Sequence, residues 1–363
     1  MRLFLVLAVC SVFCHAEETP NLIGPLPIPL PIDIPATIQG LNPLKLLDMF
    51  KQFRMNFKKN YETPLLEAKA LETFTANVKR IIKLQTKQLT FELGLNQFSD
   101  LTDDEFASQV LMHNPAPPKN VSNYGRSNKR VPGSLVKRPK EFDYRKIPNV
   151  VGPVQNQQSC GCCWAFSAAA LIQSYYGIKY KKLISLSEQQ LCDCGTMSKN
   201  WPGCKGGNVA NAFEFAMTSG VVLENNYTPF DPARSTKPNT CAAVDNKITR
   251  VKIRDYNQMS PADADEIVGE LLFTGPIGAA FRVGPSFRFY KSGIYSSDDC
   301  DTDEKFQGTH AITIVGYGEE GGKQYWIVKN SWGPSFGENG YFRFAKGYDL
   351  CSMESLDLLY PIY

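Results

Sequence analysis

The spacing of hydrophobic and polar residues predicts helices in the first part of the chain and strands in the last. Between residues 44 and 92 there is no internal glycine and one proline, Pro64, and apolar residues recur at helical spacing. They form two stripes: Leu44, Leu47, Phe50, Phe53 and Phe57, then Phe74, Val78, Ile81 and Ile82. After about residue 255, apolar runs broken by glycine predict strands over Ile277–Val283, Ala311–Tyr317 and Tyr325–Lys329.

The middle of the chain also has helical patterns. They cover Trp164–Tyr180 and Ala210–Met217, and a short helix between these two is expected after Ser185-Leu186-Ser187-Glu188, a plausible N-cap. A chain with helices first and strands later is typical of the α+β class. We therefore expect a helical half followed by a sheet or barrel half.

Three segments are not expected to belong to this core. Residues 1–16 contain a short apolar run that ends in small residues, which predicts a secretory signal peptide too short to span a membrane. Residues 17–43 are proline-rich and are expected to be an extended linker, with a ligand for a proline-reading partner as the weaker alternative. Residues 114–140 lack periodicity and predict an exposed, cleavable linker, with the maturation site at roughly 130–141.

Composition narrows the class of protein. With 39 Lys and Arg against 36 Asp and Glu, the net charge is +3, which gives no reason to expect nucleic-acid binding or a charged membrane partner. Eleven cysteines are unusual for a reduced cytosolic protein and indicate an oxidising compartment. The expected location is the secretory pathway, either extracellular or lysosomal.

Cysteine 163 is the candidate nucleophile because it precedes a predicted helix, whose dipole favours thiolate. His15 leaves with the signal and His113 lies in the linker, so His310 is the one imidazole available as a base. Asn330 could orient that ring, and the amide of Gln157 could donate to an oxyanion together with the Cys163 N–H. The alternative for a lone cysteine is a buried structural residue.

These residues lie in motifs that resemble the papain family of cysteine peptidases, of the cathepsin L/F-like kind. The motifs are QNQQSCGCCWAFSA, LSEQQL, GCKGG, GTHAITIVGYG and YWIVKNSWG. The resemblance implies a two-domain fold over 137–363, with a helical left domain at about 147–255 and a β-barrel right domain at about 256–350. It also implies the catalytic roles of Cys163, His310, Asn330 and Gln157 and an acyl-enzyme route, with no cofactor or metal.

Residues 44–136 resemble the family's inhibitory helical propeptide. Phe74, Asn77 and Ile81 fit its long-helix signature, and a second motif is formed by Gly94, Asn96, Phe98 and Asp100. Leu66 and Ala70 stand where an acid and an arginine are usual, so an ion pair of the family is missing. The acidic stretch Asp100, Asp103, Asp104 and Glu105 predicts processing promoted by acid, with a merely solvated acidic turn as the alternative.

The resemblance implies three disulfides, Cys160–Cys204, Cys194–Cys241 and Cys300–Cys351. Cys162 and Cys192 remain, and they lie where the first two helices of the peptidase should pack together. We hypothesise a fourth bridge between them, with two buried thiols as the alternative and a zinc site as a weaker one.

The substrate site is also implied by the resemblance. Gly206 and Gly207 would pair with the backbone of an extended peptide. The main pocket would be lined by Asn208, Val209, Ala280, Gly308 and Ala311, and Trp332 would shield the bond between His310 and Asn330 from water. The pocket floor would be Leu356, favouring apolar side chains, or Asp357, admitting basic ones. With His310 as the one histidine after the linker, a histidine-bearing occluding loop is not expected, which favours an endopeptidase.

The expected partners are polypeptide substrates, the chain's own propeptide and cystatin-like inhibitors, and a monomer is expected. Asn120 and Asn226 are candidate glycan acceptors. Two other functions would fit the same fold: a silent binding protein, and a prodomain that inhibits other peptidases. Both are less favoured, because silent relatives usually lose the nucleophile, the histidine or the glutamine, and all three are present here.

Overall fold

A computed structural model describes residues 32–87, 89–112, 138–196, 198, 200–259, 263–300 and 307–363. The predicted signal peptide, most of the proline-rich linker, the 114–137 segment, His15, His113 and Asn120 therefore lie outside the described residues. Within them, no helix combines the length and the apolar character needed to cross a bilayer.

Helices dominate the first two thirds of the chain. They are α1 (Pro43–Asn56), α2 (Pro64–Gln85), α3 (Asp103–Val110), α4 (Cys163–Tyr180), α5 (Glu188–Cys194), α6 (Val209–Thr218), α7 (Pro232–Ser235) and α8 (Ala264–Phe273). Several begin at side-chain caps that the sequence supplies. Ser187 accepts from the Gln190 N–H at the start of α5, and Thr102 and Glu105 form a reciprocal capping box at the start of α3.

The strands are mostly late in the chain. They are β1 (Phe91–Leu93), β2 (Phe142–Asp143), β3 (Val221–Val222), β4 (Arg250–Val251), β5 (Asp255–Gln258), β6 (Ile277–Val283), β7 (Tyr290–Tyr295), β8 (Gly308–Glu320), β9 (Lys323–Lys329), β10 (Tyr341–Ala345) and β11 (Leu359–Ile362). The main sheet has the order β1-β7-β10-β9-β8-β6-β11-β5, with β2 paired to β8. Because β11 belongs to this sheet, the β half extends past its expected end near residue 350.

Within the described ranges, three apolar clusters hold the molecule together. The largest lies in the β half, the second surrounds α4 in the helical half, and a small third cluster joins α1 to α2. Helix α4 also packs directly on β8 and so lies at the boundary between the two halves of the peptidase domain. This boundary brings the start of α4 close to the residues of β8.

The region before residue 113 packs on the peptidase domain at two places. Strand β1 pairs antiparallel with β7, with Phe91 opposite Gly293. The segment after α3 adds a bridge between Met112 and Thr309 of β8. Phe98, Phe106, Val110 and Leu111 are part of the β-half apolar cluster. The upstream segment therefore runs from one edge of the sheet to the boundary between the two halves.

All three expected disulfides are present: Cys160–Cys204, Cys194–Cys241 and Cys300–Cys351. The hypothesised fourth bridge is wrong, because Cys162 and Cys192 are free, fully buried thiols. Cys192 Sγ lies 4.0 Å from Cys160 Sγ, so the two thiols pack beside the existing disulfide. The alternative of two buried thiols is the observed one.

Candidate active site

The sulfur of Cys163 lies at the first residue of α4, facing β8. The backbone N–H of Ala311 donates to Cys163 Sγ at 3.3 Å. His310 therefore lies one residue from an atom in direct contact with the sulfur. The strand pairing also places His310 opposite Phe281 and Ala311 opposite Ala280. The candidate nucleophile and base thus come from different halves of the domain, as the sequence predicts.

Asn330 holds the imidazole of His310. Its Oδ1 lies 2.7 Å from His310 Nε2 and also accepts from the Ser331 N–H at 2.8 Å. The Trp332 ring lies 4.5 Å from the His310 ring, centroid to centroid, and both residues are fully buried. With Nε2 bound to Asn330, His310 Nδ1 is the ring nitrogen that has no partner among the described residues. It is the nitrogen available to exchange a proton with a nucleophile.

Gln157 is the side chain that sequence reasoning assigns to an oxyanion hole. Its Nε2 donates to the carbonyl oxygens of Cys160 at 2.7 Å and of Val110 at 2.8 Å. Its Oε1 accepts from Ser331 Oγ at 2.6 Å, which fixes the amide orientation. The Val110 carbonyl belongs to the upstream segment, so this segment occupies one of the two donor directions of the amide.

Residues 110–112, which the sequence did not single out, lie over the sulfur as part of the upstream segment. Met112 exchanges backbone hydrogen bonds with Thr309, at 3.0 and 3.3 Å, and packs in the apolar cluster that contains Cys163. A Cβ on Gly206 would come within 3.3 Å of Met112, and one on Gly308 within 2.9 Å of Leu111. The one local signal was the apolar run Val110-Leu111-Met112 after an acidic helix. Its path along β8 depends on residues two hundred positions away.

Burial of the site changes the titration of both groups. It raises the pKa of the Cys163 thiol to about 12, although backbone N–H groups favour the thiolate. It lowers the pKa of His310 to about 4, against the opposing effect of Asn330. At neutral pH both groups are therefore uncharged in this form, and the thiolate–imidazolium pair is not formed.

The remaining predicted substrate residues divide into two groups. Val209 packs near Cys163, while Ala280 pairs with Ala311 and donates its N–H to Leu356 O at 2.9 Å. The side chain of Asn208 instead caps α6 by accepting from the Ala210 N–H. Gly207 is required by close packing, because a Cβ there would come within 2.3 Å of the Trp164 ring.

The possible floor residues of the pocket lie next to each other beside Ala280. Asp357 has φ of +53°, which is unusual for a residue with a side chain, and burial raises the pKa of its carboxyl. Both residues are half-buried.

A metal would need a different set of ligands. In the described part of the chain, the sulfurs of Cys160, Cys162 and Cys192 lie within 4.8 Å of one another. Cys160 is already bonded to Cys204, so it is not a free thiolate ligand.

Comparison with known proteins finds a family match for each of the two parts of the chain. Residues 138–361 match the papain family cysteine proteases, and residues 50–106 match the cathepsin propeptide inhibitor domain. Pro-cathepsin H of Mus musculus is 36% identical over 86% of this chain and 90% of its own length. A cathepsin L-like proteinase of Phaedon cochleariae is 33% identical over 91% of this chain and 98% of its own length.

Solved structures show the same architecture. Digestive procathepsin L2 proteinase from the larval midgut of Tenebrio molitor superposes with a TM-score of 0.76 at 29% identity, covering 88% of this chain and all of that one. The precursor of stem bromelain superposes with a TM-score of 0.71 at 30% identity, covering 87% of this chain and 98% of that one.

Proposed function

Because this chain belongs to the papain family of cysteine proteases, we propose that Cys163, His310, Asn330 and Gln157 are the residues that carry its activity. The chain is a cysteine protease zymogen, with its own propeptide as inhibitor and polypeptides as substrates. We further propose that the mature enzyme is an endopeptidase of the secretory pathway. The observation that carries the proposal is the contact of Cys163 Sγ with the Ala311 N–H, directly after His310, across the boundary between the two halves.

The reaction would begin once residues 110–112 leave the cleft. Water then reaches Cys163 and His310, which removes the cause of their opposed pKa shifts, and the proton moves from Sγ to Nδ1. The thiolate attacks the carbonyl carbon of the substrate. The negative charge that develops on the oxygen is stabilised by Gln157 Nε2, released from Val110, and by the Cys163 N–H.

The second half of the reaction needs the same imidazole. His310 gives its proton to the leaving amine, which leaves an acyl group on Cys163. His310 then takes a proton from water, and the resulting hydroxide attacks the acyl carbon and releases the acid. Asn330 keeps Nδ1 directed at the sulfur throughout, because its Oδ1 accepts from Nε2–H.

Peptide binding would use the surfaces that residues 110–112 occupy. The backbone groups of Gly206 and Thr309, now covered or bonded by Met112, would be available to an extended substrate. Val209, Ala280, Gly308 and Ala311 would line the main pocket, with Leu356 and Asp357 at its floor and Trp332 shielding the histidine. The half-buried carboxyl of Asp357 supports acceptance of basic as well as apolar side chains.

Location, glycosylation and assembly also belong to the proposal. Three disulfides support an oxidising compartment, extracellular or lysosomal. Asn226 is exposed in the sequence Asn-Tyr-Thr, which supports its use as a glycan acceptor, and Asn120 stays a candidate. We expect a monomer and inhibition by cystatin-like proteins that enter the same cleft.

The test uses an electrophilic peptide probe on the zymogen and on the processed enzyme, together with N-terminal sequencing of the processed form. We expect labelling of Cys163 in the processed enzyme and little labelling of the zymogen. Cys163→Ala should lower peptide hydrolysis at least ~10³-fold. Cys162→Ala is the matched control, since it removes the neighbouring buried thiol. Hydrolysis that survives Cys163→Ala, or probe attached to Cys162, would contradict the assignment.

A further inference from the structure

Arg288 is a buried cation on the peptidase domain, in the turn Phe287–Phe289 between β6 and β7. Its side chain is 1% exposed. Burial lowers its pKa to about 10, so it keeps its charge at neutral pH. A buried guanidinium needs compensating acceptors, because an unpaired buried charge is very unfavourable.

Those acceptors come from the propeptide. Arg288 Nη1 donates to the carbonyl oxygens of Leu101 and Thr102, both at 3.0 Å. Arg288 Nη2 donates to Asn77 Oδ1 at 2.9 Å and pairs with Asp103 Oδ1 at 2.8 Å. Among the described residues, the guanidinium of Arg288, which belongs to the peptidase domain, therefore donates its hydrogen bonds to groups of the propeptide.

The backbone around Arg288 is bound to the same segment. Asn96 Nδ2 donates to Arg288 O at 2.5 Å, and the Gly94 N–H donates to Phe289 O at 2.8 Å. The guanidinium also lies against the ring of Phe106, 5.7 Å from its centroid. Side chain and main chain of one turn thus bind three consecutive parts of the propeptide: α2, the loop after β1, and the start of α3.

These contacts restrict which segment can dock on this turn. A fitting segment must offer two carbonyls just before a helix, a carboxylate at the first helical position and an amide on a second helix. Arg80 Nη1 contacts both carboxylate oxygens of Asp103, at 2.8 and 3.0 Å, which fixes that carboxylate in place. A segment without the carboxylate or the amide would bury the arginine with acceptors missing.

We propose that Arg288 is the charged anchor of the propeptide-docking surface, and that it selects a propeptide with a carboxylate at position 103 and an amide at position 77. The inference rests on the proposed function only in that the docked propeptide covers the same cleft. Arg288 is a positioning residue and does not contact the reacting atoms.

The test measures hydrogen exchange of the full-length chain at neutral pH in a Cys163→Ala background, where no self-processing takes place. Arg288→Ala should speed exchange in β1 and α3 by about 10- to 100-fold, because charge-assisted bonds are lost and acceptors are left unpaired. Exchange in β8 and β9 should not change. Arg254→Ala is the matched control, since Arg254 is an exposed arginine of the same domain. Arg288→Lys should fall between the two, because an ammonium lacks the planar fork.

The propeptide side gives an independent variant. Asp103→Asn should also speed exchange in α3, and the double variant with Arg288→Ala should show less than the sum of the two effects. Asp103→Asn decides the matter if Arg288→Ala does not fold. Unchanged α3 exchange in both variants would overturn the proposal. So would faster exchange in β6 and β7 alone, which would show that Arg288 only stabilises its own turn.

The two proposals fail differently. The exchange experiment does not depend on catalysis, so an inactive mature enzyme would contradict the proposed function and leave the anchor standing. An Arg288→Ala chain that is fully latent before processing and active after it would contradict the anchor and leave the proposed function standing. In the chain that retains Cys163, we expect Arg288→Ala to raise probe labelling of the unprocessed zymogen by about tenfold or more at neutral pH, with normal hydrolysis after processing.

Discussion

The propeptide and the peptidase domain are stabilised by different forces. Two large apolar clusters and three disulfides hold the peptidase domain. The propeptide has one small core between α1 and α2, and ion pairs connect its helices: Lys59–Asp100, Lys69–Glu105, Arg80–Asp103 and Arg54–Glu67. An assembly of this kind can lose its inhibitor while the enzyme beneath stays folded.

One carboxyl group in each region also responds to acid, and the two respond in opposite directions. A hydrogen bond from Lys69 lowers the pKa of Glu105, so the unfolded form takes up its proton first and the propeptide loses stability as pH falls below about 4.5. Burial raises the pKa of Glu188 in the peptidase domain to about 7, so the folded form takes up its proton first. Glu188 therefore stabilises that domain as pH falls from about 7 to about 4.5, while His310, whose pKa burial lowers to about 4, acts in the opposite direction in the covered form. Acid-promoted processing stays a prediction, and this difference supports it.

The largest expected effect comes from breaking the propeptide core. Phe74 is fully buried, and its ring contacts those of Phe50 and Phe53. Phe74→Ala should cost the propeptide about 3–5 kcal/mol and make the unprocessed chain hydrolyse peptides at neutral pH. All four tryptophans lie in the peptidase domain, so their fluorescence reports its unfolding separately, and it should be unchanged.

Leu65→Ala is the matched control for Phe74→Ala, because Leu65 is 80% exposed on the same helix. A latent Phe74→Ala chain would show that the propeptide does not need its own core. A large shift in the tryptophan transition would show that the two regions unfold together.

A second effect concerns Glu188, which lines a small cavity behind the active site together with Lys329. Glu188→Gln should remove the gain in stability between pH 7 and pH 4.5, on the order of 1–3 kcal/mol, because glutamine does not titrate there. The measurement is denaturant unfolding of the processed enzyme at both pH values, followed by tryptophan fluorescence. Glu214→Gln, at an exposed glutamate of α6, should behave like the unchanged chain. If the stability of Glu188→Gln depends on pH as strongly as that of the unchanged chain, protonation of Glu188 is not the cause of the gain.

A smaller effect is expected at Asp100, which accepts from Lys59 Nζ at 2.8 Å and from Tyr61 Oη at 2.9 Å. Burial and then the Asp100 carboxylate raise the pKa of Tyr61, so its proton stays in this bond. Asp100→Asn should weaken the propeptide by about 1–2 kcal/mol, since the amide keeps an acceptor and loses the charge. Probe labelling of the zymogen should rise, whereas Asp104→Asn at a nearby exposed position should have little effect. Equal labelling in both variants would remove Asp100 from the inhibitory contacts.

The smallest effect tests the disulfides of the peptidase domain. Alkylation of the denatured, non-reduced chain should modify the candidate nucleophile Cys163 as well as the two thiols Cys162 and Cys192, and spare the six cysteines of the three bridges. In the native chain both thiols should react slowly, because they are fully buried. Peptide mass mapping makes the measurement. A peptide pair joined through Cys162 and Cys192 would restore the fourth bridge.

Local patterns predicted much of the fold. Strand β6 covers Ile277–Val283 as predicted, and the second stripe, Phe74, Val78, Ile81 and Ile82, is buried. The first stripe is partly wrong. Leu44 and Leu47 are exposed while Met49 is buried, because only the later turns of α1 face α2. A hydrophobic pattern marks a buried face only where another element covers it.

Long-range contacts could not be predicted in the same way. Motif spacing located Cys163, His310, Asn330 and Gln157, because each fits a chemical role. The partners of β1 and of Val110–Met112 cannot be read from local patterns, since β1 with β7 and Val110–Met112 with β8 join segments about two hundred residues apart. Arg288 was missed for a related reason. An arginine in a turn is ordinarily exposed, and its acceptors lie in a different region of the sequence.

The cover over Cys163 also has a chemical consequence for storage. The sulfur has no exposed surface, and burial keeps it protonated, so peroxides and small disulfides in the medium can neither reach it nor find a reactive thiolate. We expect the precursor to keep its full potency for long periods in an oxidising environment. Exposure of the thiol, and with it irreversible oxidation to sulfinic acid, begins only when the segment is cut away.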